Sequence, residues 1–268
     1  VHIGAFLLPT EPSHNTSKQA WEERASQKGS SPEGVLFRGF PPVLNHYIHE
    51  WHVWAVVSHL LPRLPSNAKV LDMGCGYGRI HRQIIEARPD LHITGMDFSM
   101  QYCALHHQEF PAAQTVCADA GFLPFKDKSF DAIIGVTVLM YLNRHGRAQI
   151  IREAILPKLK PSGLGLFIDP GLEFMRLAQL LKPSTKTTPT EGVGFALEEY
   201  KGLGDATGTI MLGMGSIPIF TVLLPLLMAS SSLPAVSRFL LQRIQKLDFH
   251  LQSLHKYALQ RWILVKHF

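Results

Sequence analysis

The chain has 268 residues, 46% of them hydrophobic and 18% charged, with a formal charge of +5. This is the composition of an ordinary soluble globule, long enough for one medium domain or for one domain with a cap. The basic residues are scattered and no Lys/Arg block interleaves with aromatics, so no nucleic-acid partner is expected. The three cysteines (Cys75, Cys103, Cys117) form no Cys-x-x-Cys and read as reduced thiols of a cytoplasmic protein.

Val1–Pro9 is apolar but short and lacks a basic flank, so it makes a poor signal peptide. Glu11–Pro32 is rich in Ser, Lys, Gln, Glu and Gly and reads as a leader with a short helix over Gln19–Ser26, anchored by Trp21. Arg38-Gly39-Phe40-Pro41-Pro42 is a turn. Val43–Leu61 has helical periodicity, with Leu44, Tyr47, Ile48, Trp51, Trp54, Ala55 and Leu60 roughly on one face. His46, His49, Glu50 and His52 lie on this helix. No cysteine or second carboxylate joins them at ligand spacing, so no metal site is expected. Two readings stay open: a histidine-rich polar face, or a helix that lends one histidine to a ligand pocket.

Val70-Leu71-Asp72-Met73-Gly74-Cys75-Gly76-Tyr77-Gly78 reads as a buried strand running into a tight turn that opens a helix. A dinucleotide fingerprint wants glycines at its first, third and sixth positions. Here they stand at the first, third and fifth, and Arg79 takes the sixth. With Asp72 ahead of the turn, the loop suits a ligand with a positive centre and an amino-acid portion better than a pyrophosphate.

Further on, Arg79–Arg88 is helical and stops at Pro89, and His92–Asp97 is a second strand ending in an acid. An acid at that distance from a glycine turn accepts ribose hydroxyls in nucleotide-binding α/β units, with Phe98 and Met100 placed to flank an adenine. Gln101–Glu109 is a helix, Thr115–Ala118 a third strand and Ala132–Thr137 a fourth. A helix follows from Tyr141 to about Leu156, then a fifth strand over Leu164–Ile168. Strands alternating with helices predict a parallel sheet covered on both faces. Asp72, Asp97, Asp119, Thr137 and Asp169 all fall at strand carboxyl ends, where such sheets bind ligands.

At this point the chain resembles the class I S-adenosylmethionine-dependent methyltransferases over about residues 66–170. The motifs come in order: the Asp72–Gly78 loop, Gly95-Met96-Asp97-Phe98-Ser99, Asp119-Ala120, Leu123-Pro124-Phe125 with Ser129-Phe130-Asp131, and Leu159-Lys160-Pro161-Ser162-Gly163 with Gly165. The resemblance implies an α/β fold: a doubly wound, mostly parallel seven-stranded Rossmann-like sheet with an antiparallel edge. N-terminal helices would precede it, and a helical cap would be inserted before the last strands. The implied cofactor is S-adenosyl-L-methionine. Gly74, Cys75, Gly76 and Gly78 would form the turn against its methionine portion, with Asp72 beneath. Asp97 would take the ribose, Phe98, Asp119 and Ala120 the adenine, Val136 and Thr137 the sulfonium, and Arg38 the carboxylate. The fourth strand lacks the Asn/Asp-Pro-Pro-Tyr signature of enzymes that methylate amino groups on nucleic acids. His145, Tyr141, His49 and Asp169 are candidates for a base, each with a plainer structural reading beside it.

Glu173–Leu181 reads as a helix and Lys182–Gly194 as a polar loop. Ala206–Ser237 carries no charge, and Gly213, Gly215, Pro218 and Pro225 interrupt its apolar run. Three roles stay open for it: cap helices over the active site, core or dimer surface, or peripheral membrane contact. Ala235–Leu254 is amphipathic and Arg261–Lys266 reads as a closing strand. The expected layout is thus leader and lid helices (1–65), cofactor core (66–170), hydrophobic helical cap (171–258) and closing strand (259–268). The expected substrate is a small, apolar metabolite, with methylation of a lipid or glycolipid at a membrane surface or a non-enzymatic binding or regulatory protein of the cofactor fold as alternatives.

Overall fold

A computed structural model describes residues 14–143, 146–181, 190, 192–203, 208–231, 233–252 and 255–268. The expectations placed on Val1–Pro9, on His145 and on most of the Lys182–Gly194 loop lie outside these residues.

Seven strands form one sheet: β1 (Lys69–Met73), β2 (His92–Asp97), β3 (Gln114–Cys117), β4 (Phe130–Val136), β5 (Leu159–Pro170), β6 (Thr209–Ser216) and β7 (Gln260–His267), in the order β3-β2-β1-β4-β5-β7-β6. The pairs among β1 to β5 are parallel, while β7 runs antiparallel to both β5 and β6. The chain winds outward from β1 to β3, then returns to lay β4 on the other side of β1. That reversal opens a crevice at the carboxyl ends of β1 and β4, where this class of sheet binds ligands.

Helices α1 (His14–Lys28), α2 (Pro32–Val35) and α3 (Pro42–Ala55) precede the sheet. Next come α4 (Arg79–Ala87), α5 (Met100–Glu109), α6 (Arg147–Ile150), α7 (Leu172–Leu181), α8 (Leu197–Lys201), α9 (Pro218–Ser230) and α10 (Pro234–His250). Each central strand is apolar at successive positions and buries both faces. Val70, Ile134, Leu166 and Leu264 pack in one core with Tyr47, Trp51, Ile80, Phe220 and Ile244 from α3, α4, α9 and α10. Their neighbours Leu71, Ile133, Phe167 and Ile263 pack in the other with Ile151, Ile155 and Tyr200. The two-residue side-chain period of a strand produces this division.

Two expectations fail. The stretch read as one helix from Tyr141 is broken: a 3-10 turn at Leu139–Tyr141, then α6, a π-turn at Ile151–Ile155 and a second 3-10 turn at Leu156–Lys158. The uncharged segment is not a cap over the crevice. Its first part is the edge strand β6, and α9 packs on the α3 side of the sheet, where Phe220 stacks on Tyr47 at 4.7 Å. Asp248 of α10 secures the joint, accepting from Tyr47 Oη at 2.7 Å and from the N–H groups of Ile219 and Phe220.

Candidate active site

A cavity of about 380 Å³ lies over the crevice. Its floor comes from strand ends and the loops after them, its roof from Ser17 and Trp21 of α1, and its far wall from Leu172, Met175, Arg176 and Gln179 of α7. Asp72, Gly74, Cys75, Gly76, Asp97, Phe98, Asp119, Ala120, Val136, Thr137 and Tyr141, all named from the sequence, line this one space. Gly78, His49 and Arg38 do not line it.

The turn after β1 depends on left-handed glycines. Gly74, Gly76 and Gly78 have φ of 70°, 54° and 88°, a region costly to residues with a Cβ. A Cβ on Gly74 would also overlap the Val138 side chain, and one on Gly78 the Phe110 ring. The turn's donors are consumed internally. Gly74 and Cys75 donate to Met96 O at 2.6 and 3.0 Å, Gly76 to Asp97 Oδ2 at 2.9 Å, and Gly78 to Cys75 O at 2.9 Å. A phosphate would need those N–H groups. A ligand that brings its own donors and a positive charge does not.

Asp97 also accepts from Ser99 N at 3.0 Å. Burial raises its carboxyl to about 6 against the pull of these backbone donors. Asp72 is 2% exposed, and its Oδ2 has no hydrogen-bond partner. Burial pushes it up to about 7, with Arg79 pulling it down and Asp97 pushing it further up. Such an orphaned buried carboxylate beside a cavity is completed by a cationic donor. Asp119 Oδ1 accepts from Gly121 N at 2.6 Å, which fixes the loop after β3.

Arg79, the residue that broke the dinucleotide pattern, is buried on the cavity wall. Its Nη1 donates to His49 Nδ1 and its Nη2 to His52 Nδ1, each at 3.1 Å. His49, expected as a base, is thus an acceptor for a guanidinium. Burial, then the Arg79 charge, lowers it to about 4. Among the described residues, Tyr141 is the one base candidate on the cavity wall; its Oη donates to Thr190 O at 3.1 Å. Asp169 lies below the wall, its Oδ1 accepting from Met140 N at 3.1 Å. Arg38 is exposed on the leader turn.

Sequence reasoning did not find the contacts that fasten α1 over the cavity. Glu22 caps α5 from the outside, accepting from Ser99 Oγ, Met100 N and Gln101 N at 2.8, 2.7 and 3.0 Å. Trp21 meets Tyr141 edge-on at 5.5 Å. It also missed Arg147, 1% exposed, which donates to Val193 O and Gly194 O at 2.8 and 3.1 Å and to Glu199 at 2.6 Å. Gly192 and Val193 are cavity wall, so a buried cation holds that wall in place.

Comparison with known proteins agrees with this geometry. Residues 70–163 match the family described as Methyltransferase domain. A tRNA (carboxymethyluridine(34)-5-O)-methyltransferase of Arabidopsis thaliana is 27% identical over 168 residues, 56% of this chain and 39% of that protein. A ubiquinone/menaquinone biosynthesis C-methyltransferase of Bartonella quintana (strain Toulouse) is 30% identical over 160 residues, 54% of this chain and 59% of that protein. The chain spans 36% to 42% of the length of the first three curated relatives it matches. Among solved structures, the [4+2]-cyclase SpnF superposes with a TM-score of 0.59 at 17% identity over 97% of both chains. A putative sarcosine dimethylglycine methyltransferase from Galdieria sulphuraria does so with 0.55 at 15% identity, over 93% of this chain and 97% of that one. The expectation of no nucleic-acid partner is corrected here, since several curated relatives carry the tRNA methyltransferase name. Scattered basic residues are a poor guide because charge placement belongs to the folded surface, which composition does not describe. By sequence match, sheet order and the crevice at the strand ends, residues 70–163 form a methyltransferase domain of the class I S-adenosylmethionine-dependent fold.

Proposed function

We propose that the chain methylates a small acceptor with an apolar body, seated between the end of β4 and helix α7. The observation that carries this reading is the cavity beyond Thr137. Its walls there are Met140, Leu142, Leu172, Met175 and Val193, and Asn143, Arg176 and Gln179 supply the polar groups. Apolar walls with a few convergent polar groups are how small-molecule sites combine affinity with orientation. The curated relative named for quinone biosynthesis supports the same class of acceptor.

S-adenosylmethionine supplies a methyl already activated on a sulfonium, so the protein's task is placement. In this reading Asp72 and Asp97 receive the cofactor's donors, and Asp119 and Phe98 border its adenine. Thr137 and Val136 stand where the acceptor meets the methyl. Trp21 and Tyr141 close the space above and exclude water.

A second reading is favoured by the tRNA methyltransferase relatives: an RNA acceptor whose flipped base enters the same apolar wall. Methyl-labelled cofactor separates the two. Purified protein is incubated with total tRNA and, separately, with lipophilic phenols and quinols. Label in the organic extract is expected; label confined to acid-precipitable RNA overturns the first reading and establishes the second.

A further inference from the structure

We propose that the α9–α10 pair docks on an anionic lipid surface, as a tether separate from the active site. The outward side of α9 is apolar at helical spacing, with Val222, Leu226 and Ala229 exposed and Phe220 and Leu227 buried behind them. Leu233, at the connection, is 58% exposed, and Val236, Phe239 and Leu247 continue the apolar surface along α10. Cations share this side of α10. Arg243 and Lys246 are exposed among those apolar residues, and Arg243 lies over the Phe239 ring at 5.2 Å. Arg238 stands on the flank, also exposed.

The charge pattern identifies the partner. From Gly208 to Gln252 the sequence holds a single acid, Asp248, and that carboxylate is buried against Tyr47. On α3, Glu50 meets α10 through Gln245 and sits 3.6 Å from His46. A solvent-facing helix ordinarily mixes both signs of charge. Exposed large apolar side chains beside cations, with no exposed acid among them, match the boundary between acyl chains and anionic headgroups. Long Arg and Lys side chains there reach the headgroups while their stems lie on apolar surface. Among the described residues no helix is long and apolar enough to cross a membrane, so the contact is with the surface. None of these residues lines the cavity, so attachment and catalysis are separable.

Co-sedimentation with vesicles tests this. The full chain is expected to pellet with phosphatidylcholine vesicles containing phosphatidylglycerol, to do so weakly with pure phosphatidylcholine, and to be released by salt. Arg243→Glu with Lys246→Glu is expected to weaken binding by about fivefold per cation removed. Leu226→Asp with Phe239→Asp is expected to abolish it while leaving cofactor affinity unchanged. For the unaltered protein, vesicles are expected to slow hydrogen exchange over residues 218–250. Failure to pellet on anionic vesicles, or equal binding by either variant, overturns the proposal. So does protection confined to other segments. A dimer in sedimentation velocity that Phe239→Asp dissolves gives this surface to a second copy of the chain and equally overturns it.

Discussion

His52 and Arg79 lie side by side in the interior, the guanidinium Nη2 donating to the imidazole Nδ1 at 3.1 Å. Guanidinium only donates, so Nδ1 is bare and the ring proton sits on Nε2, which donates to Gln260 Oε1. A residue of β7 thereby sets the tautomer of a residue in α3, which positions a cation on the cavity wall. Burial, then the Arg79 charge, holds His52 well below the usual histidine range. Replacing His52 with Phe removes the acceptor and leaves a buried donor unpaired, at a cost of about 1–3 kcal/mol. Urea denaturation is expected to show that loss. His52→Gln, whose carbonyl can accept, is expected to recover part of it.

The carboxylates of the crevice link ligand binding to protons. In the folded chain burial raises Asp72 to about 7 and Asp97 to about 6, from the 3.8 of an ordinary aspartate. For an acid raised in this way, the folded state holds more protons than the unfolded one between the two values. Its stabilising contribution is complete below 3.8 and is lost as pH rises through 6 and 7. Asp72→Asn is expected to flatten that part of the profile in the ligand-free protein. A cationic ligand favours the ionised forms, so binding near pH 6 expels protons, and affinity climbs with pH by up to about tenfold per unit for each proton released. Calorimetry in two buffers of different ionisation heat measures the release. A heat independent of buffer rejects the linkage.

Gly74 carries two constraints that can be separated. The left-handed φ of 70° costs an alanine about 1–2 kcal/mol, and the new Cβ also strikes Val138. Gly74→Ala is expected to lose cofactor binding and stability together. Adding Val138→Ala removes the overlap but not the backbone cost, so the double variant is expected to regain stability only in part. Full recovery would show that φ matters little here.

Arg147 is a cation held beneath a wall. Its guanidinium lies 3.7 Å over the Phe195 ring and bonds two carbonyls and Glu199. Arg147→Met keeps the stem, loses those bonds, and is expected to cost about 2 kcal/mol. Because Val193 lies on the wall proposed to face the acceptor, KM for the acceptor is expected to rise while the cofactor Kd holds. Steady-state kinetics with calorimetry reads both.

The parallel strands were legible because each is a short apolar run with an acid or threonine at or just beyond its crevice end, and the glycine spacing excluded a pyrophosphate. Asp72 and Asp97 were read from position alone, and the cavity brings them together with Asp119 and Thr137. Edge strand β6 was not legible. Gly213 and Gly215 interrupt its apolar pattern, and their reason lies in β7: a Cβ at either would press on the Trp262 ring. The broken helix after Tyr141 escaped notice because its apolar residues keep a near-helical spacing through the π-turn. Glu22 could not be found from sequence, since the helix end it caps is 77 residues away. His49 looked like a site residue by type, and its partner Arg79 took up its free nitrogen.

Helix α1 closes the cavity yet belongs to neither core of the sheet. Its buried apolar contacts are a small cluster of Trp21 and Ala25 with Tyr102, supplemented by Glu22 on α5 and by Arg24, which donates to Glu33 O and Leu36 O. Enclosure and stability therefore rest on different side chains. Weakening this seam is therefore expected to shorten the residence time of a bound ligand before it moves the melting temperature.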